Sequence, residues 1–133
     1  MKRPMGTSNG DRVLTKYTRQ QALNEGLLID VSATAQEAGI VFPVAVAQEV
    51  WGQYIKPSER AAKIGQSEQG RLWDILWMLR VAIGRAGHTD RIHFEVLVQD
   101  GPGSRFRHKA KLQALCHGGD QREPVITIKL ADR

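Results

Sequence analysis

Cys116, the single cysteine of the chain, precedes His117, and a thiol beside an imidazole could act as a nucleophile with its base. The surrounding sequence predicts a strand, in which adjacent side chains point to opposite faces, so the two groups would not meet. We therefore interpret Cys116 as a small buried thiol. The other histidines lack the HxH or HxxxH spacing that places two imidazoles on one metal ion: His88, His93 and His108. We expect no metal and no cofactor.

Asp30 and Asp74 stand inside or beside apolar runs, where a carboxylate normally needs a hydrogen-bond donor or a cation. We expect Asp30 to accept backbone amides near the start of the next helix, and Asp74 to pair with Arg71 or Arg80. The alternative is that one carboxylate lines a cleft together with a histidine, as an enzyme would require. Without such a cleft, the sequence favours a protein that is not an enzyme.

A basic set in the C-terminal third is the most suggestive group of side chains. Alternate residues of a strand project from one face about 7 Å apart, so the spacing predicts a row of four positive charges. The row consists of Arg105, Arg107, Lys109 and Lys111. It could follow the phosphates of a nucleic acid or meet an acidic protein surface. The alternative is a solvated edge strand, on which such residues oppose aggregation.

The net charge of +5 is concentrated in the same part of the chain. Residues 1–70 carry eight Lys/Arg and seven Asp/Glu, a net +1, whereas residues 71–133 carry eleven and seven, a net +4. This excess favours weak attraction to nucleic acid or acidic proteins. No run approaches the roughly 18 apolar residues that span a bilayer, and no apolar segment follows the basic N-terminus. We expect a cytoplasmic protein without membrane contact.

The element that must position these groups is the run GRLWDILWMLRVAI, residues 70–83. Its aliphatic residues recur at three- and four-residue steps, which is the helical period. They are Leu72, Ile75, Leu76, Leu79, Ala82 and Ile83. With Ser67 as a cap and Gly87 as a stop, this pattern predicts a helix from about Glu68 to Arg85.

Three tryptophans indicate whether this helix only packs in the core or also forms an interface. Trp73 and Trp77 lie beside its aliphatic stripe, and Trp51 falls in a predicted amphipathic helix from Val44 to Ile55. We interpret all three as core residues. The alternative is that one or two are exposed with Arg80 on an apolar patch that anchors a partner or a second copy, because tryptophan is enriched in binding hot spots.

The N-terminal part predicts only small elements. Residues 1–12 show no periodicity and are interpreted as a disordered lead-in to a single domain over residues 13–133. Two short helices capped by Thr18 and Ser32 are expected on either side of the apolar residues 27–31, which could form a strand.

The C-terminal part changes to the strand period after Gly87. Turn signals at residues 100–103 and 118–120 separate three strands. We therefore predict an α+β fold, with N-terminal helices and one long central helix packed on a C-terminal three-stranded antiparallel meander. Residues 27–31 are a candidate fourth strand.

Three separated blocks resemble an uncharacterised family of small bacterial proteins: LLIDVSATAQEAGIVFPVAVAQEVW, GRLWDILWMLRVAI and LQALCHGGDQREPVITIKL. The resemblance extends from about Tyr17 to Leu130, and the basic hairpin from Gly101 to Lys111 departs from the family pattern. The family carries a domain of unknown function and is common on plasmids, phages and integrated elements. It implies an accessory protein that binds a host or element protein, such as an inhibitor of restriction or CRISPR systems, and it transfers no catalytic residue.

Two functions stay open at this point. The first is a non-enzymatic accessory protein of a mobile genetic element that binds a protein partner. The second is a nucleic-acid-binding or regulatory protein that uses the basic hairpin. A homodimer is compatible with both.

Overall fold

The computed structural model describes residues 18–131, so the lead-in predicted over residues 1–12 lies outside the described residues. The helices are α1 (Arg19–Asn24), α2 (Ser32–Glu37), α3 (Gln48–Val50), α4 (Glu59–Lys63) and α5 (Glu68–Ala86). The strands are β1 (Leu28–Asp30), β2 (Val44–Ala47), β3 (Arg91–Gln99), β4 (Arg107–Gly118) and β5 (Pro124–Leu130). A π-helical turn, Trp51–Ile55, continues α3, and a 3₁₀ turn, Ser104–Phe106, precedes β4.

The five strands form one mixed sheet in the order β1-β2-β5-β4-β3. β3, β4 and β5 follow one another as antiparallel neighbours. β2 then pairs with β5 in parallel, and β1 pairs with β2 antiparallel. The predicted three-stranded antiparallel meander is therefore wrong, because the meander is only one part of a larger mixed sheet. The α+β class is correct, and residues 27–31 do contain a strand.

β2 is the strand that the sequence pattern did not reveal. The predicted helix from Val44 to Ile55 begins instead with four extended residues and becomes helical only at Gln48. All four residues of β2 are buried, because Val44 and Val46 enter the main core while Ala45 packs on the opposite face. A strand that is covered on both faces shows no apolar–polar alternation, so periodicity alone could not identify it.

The long helix α5 lies against one face of the sheet, close to its predicted bounds. The Ser67 side chain accepts a hydrogen bond from the Gly70 amide at 3.0 Å, and Gly87, with φ of 73°, follows the last turn. Its buried residues Leu72, Ile75, Leu76 and Leu79 share one core with residues of β3, β4 and β5, including Phe94, Leu112 and Ile128. In the described part of the chain, no helix has the length and apolar character needed to cross a membrane.

The opposite face of the sheet is covered by α1 only over β1 and β2. Ala22 of α1 packs with Leu28 and Ala45 in a small second cluster. Arg19 then reaches further across this face, where its guanidinium donates to Thr127 Oγ1 at 2.9 Å and to Ile126 O at 3.1 Å. Over β3 and the first half of β4, the same face carries exposed side chains.

Candidate functional site

Helix α5 presents two tryptophans to solvent. Trp73 and Trp77 are 36% and 48% exposed, and their rings stack with centroids 6.2 Å apart and an interplanar angle of 14°. Met78, 39% exposed, adjoins them and extends the apolar surface. We call these three residues the tryptophan patch. The interpretation of Trp73 and Trp77 as core residues is wrong, and their role in an interface stays a prediction.

The position of α5 in the fold explains this exposure. β3, α2 and the π-helical turn pack against α5, and its fully buried residues all lie on one side of the helix. Trp73 and Trp77 are one helical turn apart and lie outside that buried side. Trp51 differs, because it is partly buried and packs against the main core. Exposure thus depends on how many elements surround the helix, which its own sequence does not report.

Asp74 lies beside the tryptophan patch and is exposed. Desolvation raises its pKa above the ordinary carboxyl value. The expected pairing with Arg71 is wrong, because the Arg71 guanidinium is buried on another side of α5. It donates to Tyr54 O at 3.1 Å and to Gln99 O at 2.8 Å. Arg80, the third predicted interface residue, is exposed one turn after Trp77.

The predicted row of four basic side chains is shorter in the structure. Arg105 lies in the 3₁₀ turn rather than in β4, with its guanidinium carbon 5.3 Å from the centre of the Phe106 ring. The residues that do alternate along the exposed face of β4 are Arg107, Lys109 and Lys111. The glycine-bearing turn ends later than expected, and this removes one charge from the row.

Neighbouring groups on β3 offset part of the charge of this row. Lys109 Nζ lies 3.6 Å from Glu95 Oε1, and Arg107 Nε donates to Gln99 Oε1 at 3.2 Å. Lys111 is directly opposite Glu95 in the strand register. The row is therefore basic and exposed, but a carboxylate lies within it.

A cavity of about 290 Å³ opens between the C-terminal half of α5 and the sheet. Apolar side chains line most of it, including Phe42, Leu79 and Ile92, and Arg80 and Cys116 also border it. His117 points to the other face of the sheet, where its Nε2 lies 2.8 Å from Thr127 Oγ1. The predicted separation of the thiol from the imidazole is thus confirmed.

The sequence reasoning did not identify this cavity. Its outer wall includes Val41, which is 80% exposed, and Phe42, which is partly exposed. Both belong to the apolar run that precedes Pro43, and an apolar run in a loop between two short elements is the signal that could have indicated an open apolar site.

Asp30 and Asp74 lie in separate parts of the structure. Asp30 Oδ1 accepts hydrogen bonds from Ser32 N at 3.2 Å and from Ser32 Oγ at 2.6 Å, which confirms its predicted contact with the start of the next helix. Neither Asp30 nor Asp74 borders the 290 Å³ cavity. Within residues 18–131, no three or more His, Cys, Asp or Glu side chains are arranged to hold a metal ion.

Comparison with curated proteins and with solved structures gives no match. A protein-family model does match, over residues 6–133, and its description is Family of unknown function (DUF6573).

Proposed function

Because this chain belongs to that family of unknown function, we propose a role from its own surface: it is a non-enzymatic accessory protein that binds a protein partner through Trp73, Trp77 and Arg80. The stacked, exposed tryptophan pair carries this proposal. Most large apolar side chains of the described residues are buried, so two adjacent tryptophans in water are the feature that calls for a partner.

The energetics support binding at this place. The exposed fractions of 36% and 48% together amount to less than one full tryptophan surface, or roughly 200 Å². Covering that area would contribute on the order of 5 kcal/mol before the entropic costs of association. Arg80 adds a cation at the edge of the patch, so a fitting partner has an apolar pocket for the rings and a carboxylate beside it.

The family resemblance supplies the biological setting of the proposal. The resemblance implies members carried on plasmids and phages, and on that basis we take the partner to be a host or element protein in the bacterial cytoplasm. Components of restriction and CRISPR systems are the first candidates, because inhibition of host defence requires only tight binding and no chemistry. No cofactor enters this proposal.

The test compares the wild-type chain with a double variant, Trp73→Gln and Trp77→Gln. We expect wild-type protein to capture a restriction or CRISPR component from a bacterial lysate and to bind it after purification. The double variant should bind at least 30-fold more weakly, since loss of a hot-spot tryptophan typically costs about 2 kcal/mol or more. Circular dichroism should show that the double variant is still folded at the assay temperature. Its thermal unfolding midpoint should fall, because more than half of each tryptophan is buried.

A matched control removes charge instead of apolar area. The double variant Lys109→Gln and Lys111→Gln should retain the protein partner. Equal binding by the tryptophan variant, or a wild-type chain that repeatedly captures no protein, would contradict the proposal.

Nucleic-acid binding is the second candidate, favoured by the exposed alternation of Arg107, Lys109 and Lys111 along β4. In that case the lysine double variant should lose affinity for duplex DNA at low salt, and the slope of log K against log salt should fall by about 1.8 for two lost phosphate contacts. The tryptophan variant should bind DNA normally. The same two variants therefore separate the two functions.

A further inference from the structure

The two edges of the sheet differ greatly in length. β1 at one edge has three residues, whereas β3 at the other has nine. A strand of nine residues extends for about 30 Å. Short edge strands resist association, while a long edge strand can pair with another chain. β3 is therefore the edge to consider for assembly.

The hydrogen bonds at the two ends of β3 show which backbone groups face outward. Asp90 O accepts from Cys116 N at 2.8 Å, and Asp100 N donates to Phe106 O at 2.8 Å. In an antiparallel ladder such bonded pairs recur at every second residue. The even-numbered residues of β3 thus bond to β4, and the odd-numbered residues direct their N–H and C=O groups to the open edge.

The protein itself occupies the two ends of that edge. Thr89 Oγ1 accepts from Arg91 N at 3.3 Å and donates to Arg91 O at 3.1 Å. Arg71 Nη2 donates to Gln99 O at 2.8 Å. Between these ends, no strand of the described chain lies against the outward groups of the central residues. These residues are His93, Glu95 and Leu97.

A groove accompanies the same edge. It is a cavity of about 400 Å³ between α5 and β3, and its lining combines apolar side chains, including Met78, Val81 and Phe94, with the charged side chains of Arg85, Arg91 and Glu95. Trp73 and Trp77 do not line it. A strand added at β3 would therefore bring a second helix layer against this groove, so that backbone pairing and apolar burial would occur together.

We propose that β3 pairs antiparallel with β3 of a second copy of this chain, about a two-fold axis at Phe94, to form one continuous ten-stranded sheet (two sheets of five strands). This interface does not include Trp73 or Trp77, although Met78 of the tryptophan patch borders its groove, and it goes beyond the proposed function. Each copy offers the same edge and the same groove, as a two-fold interface requires.

Charge complementarity and the free backbone groups together select this register. An axis at Glu95 would place Glu95 against the partner's Glu95. An axis at His93 would set Arg91 opposite the partner's Glu95, but it would face two imidazoles and need the Arg91 N–H and C=O groups that Thr89 already binds. With the axis at Phe94, His93 lies opposite the partner's Glu95, and Glu95 lies opposite the partner's His93. Opposite charges or hydrogen-bonding groups at directly facing positions stabilise antiparallel strands, whereas like charges destabilise them.

The same register uses the free backbone groups. His93 and Glu95 exchange N–H and C=O bonds with their counterparts on both sides of the axis, giving four hydrogen bonds from two residues of each copy. The bridge from Lys109 to Glu95 does not prevent this, because both side chains are more than half exposed and such pairs are weak.

The experiment measures the dissociation constant of the full chain by sedimentation equilibrium. The wild type should dimerise with a dissociation constant of about 100 µM or lower. His93→Glu, which sets two carboxylates against each other twice, should weaken the dimer at least tenfold. Adding Glu95→His to the same chain restores unlike groups at both positions and should return the constant to within about threefold of the wild type.

A second variant tests backbone pairing directly. Glu95→Pro removes an N–H that faces the open edge and, in the proposed dimer, donates to the partner's His93. It breaks no bond to β4 and lies where an edge strand tolerates proline. It should be a folded monomer by circular dichroism and sedimentation. A monomeric wild type up to about 100 µM, or a dimer unaffected by His93→Glu, would overturn the proposal. So would a dimer that only the tryptophan double variant disrupts, since α5 would then be the interface.

Discussion

At the scale of single residues, Asp100 is the point where three segments meet. Its Oδ1 accepts from Ser58 Oγ at 2.9 Å, and its Oδ2 accepts from Arg60 Nη2 at 2.8 Å. Arg71 Nη2 lies 3.6 Å from Oδ1. The Ser58 hydrogen bond is the main cause that lowers the pKa of Asp100 below its ordinary value, aided by Arg60 and Arg71 and opposed by burial. The carboxylate thus ties the turn after β3 to α4 and α5.

Loss of this carboxylate should destabilise the protein in a pH-dependent way. The pKa is lower in the folded state, so its contribution is fully present above the ordinary carboxyl value of about 4 and is lost as pH falls through the folded pKa. Asp100→Asn should reduce the free energy of unfolding by about 1–2 kcal/mol at pH 7. The difference from the wild type should shrink below about pH 4.

Urea unfolding at neutral and acidic pH measures both effects. Glu37→Gln, which alters an exposed carboxylate at the end of α2, is the control and should change the free energy by less than about 0.5 kcal/mol. A constant difference between Asp100→Asn and the wild type across the acid range would contradict the assigned role of the charge.

At the scale of elements, the N-terminus of α5 depends on a single side chain. Ser67 Oγ accepts from Gly70 N at 3.0 Å and satisfies one of the amides that have no partner within the helix. Ser67→Ala should lower the free energy of unfolding by about 1 kcal/mol. Gln69→Ala, at an exposed position of the same turn, should leave it nearly unchanged, since both residues favour helices. Equal effects of the two changes, measured by thermal unfolding, would refute the contribution of the cap.

Local rules succeeded for α5 because its cap, its stripe and its terminal glycine all act within a few residues. They failed for β2, although the same kind of spacing was present. Val44 and Trp51 fit one helical face, but Val44 faces Ile126 of β5 across a parallel pair. Pairing with a strand more than 80 residues away decided the conformation, and tertiary context routinely overrides local propensity.

At the scale of the whole molecule, the addition of β2 to the sheet predicts where stability resides. Val46 is 0% exposed and Val41, in the preceding loop, is 80% exposed. Val46→Ala should reduce the free energy of unfolding by about 2 kcal/mol, through lost apolar burial and the cavity left behind. Val41→Ala removes the same atoms from solvent-exposed surface and should change it by less than about 0.5 kcal/mol. If the two variants were equally stable in urea, β2 could not be part of the core.

Some features of the candidate surfaces could be predicted from local sequence, and others depended on the tertiary structure. The exposed alternation of Lys109 and Lys111 was predictable, because opposite faces of a strand follow from a period of two. The exposure of Trp73 and Trp77 was not, because it depends on which elements surround α5. Arg105 was placed wrongly for a smaller reason, since the 3₁₀ turn delays the start of β4.

The amino-acid sequence by itself determined the α+β class, the bounds of α5 and the turns that separate the last three strands, since each depends on neighbours within a few positions. Only the tertiary structure decided that β2 joins the sheet in parallel, that α5 leaves two tryptophans partly exposed, and that β3 is the edge strand of the sheet in residues 18–131. Those features depend on contacts between residues far apart in the chain, whose free energy appears only when the whole sheet is assembled.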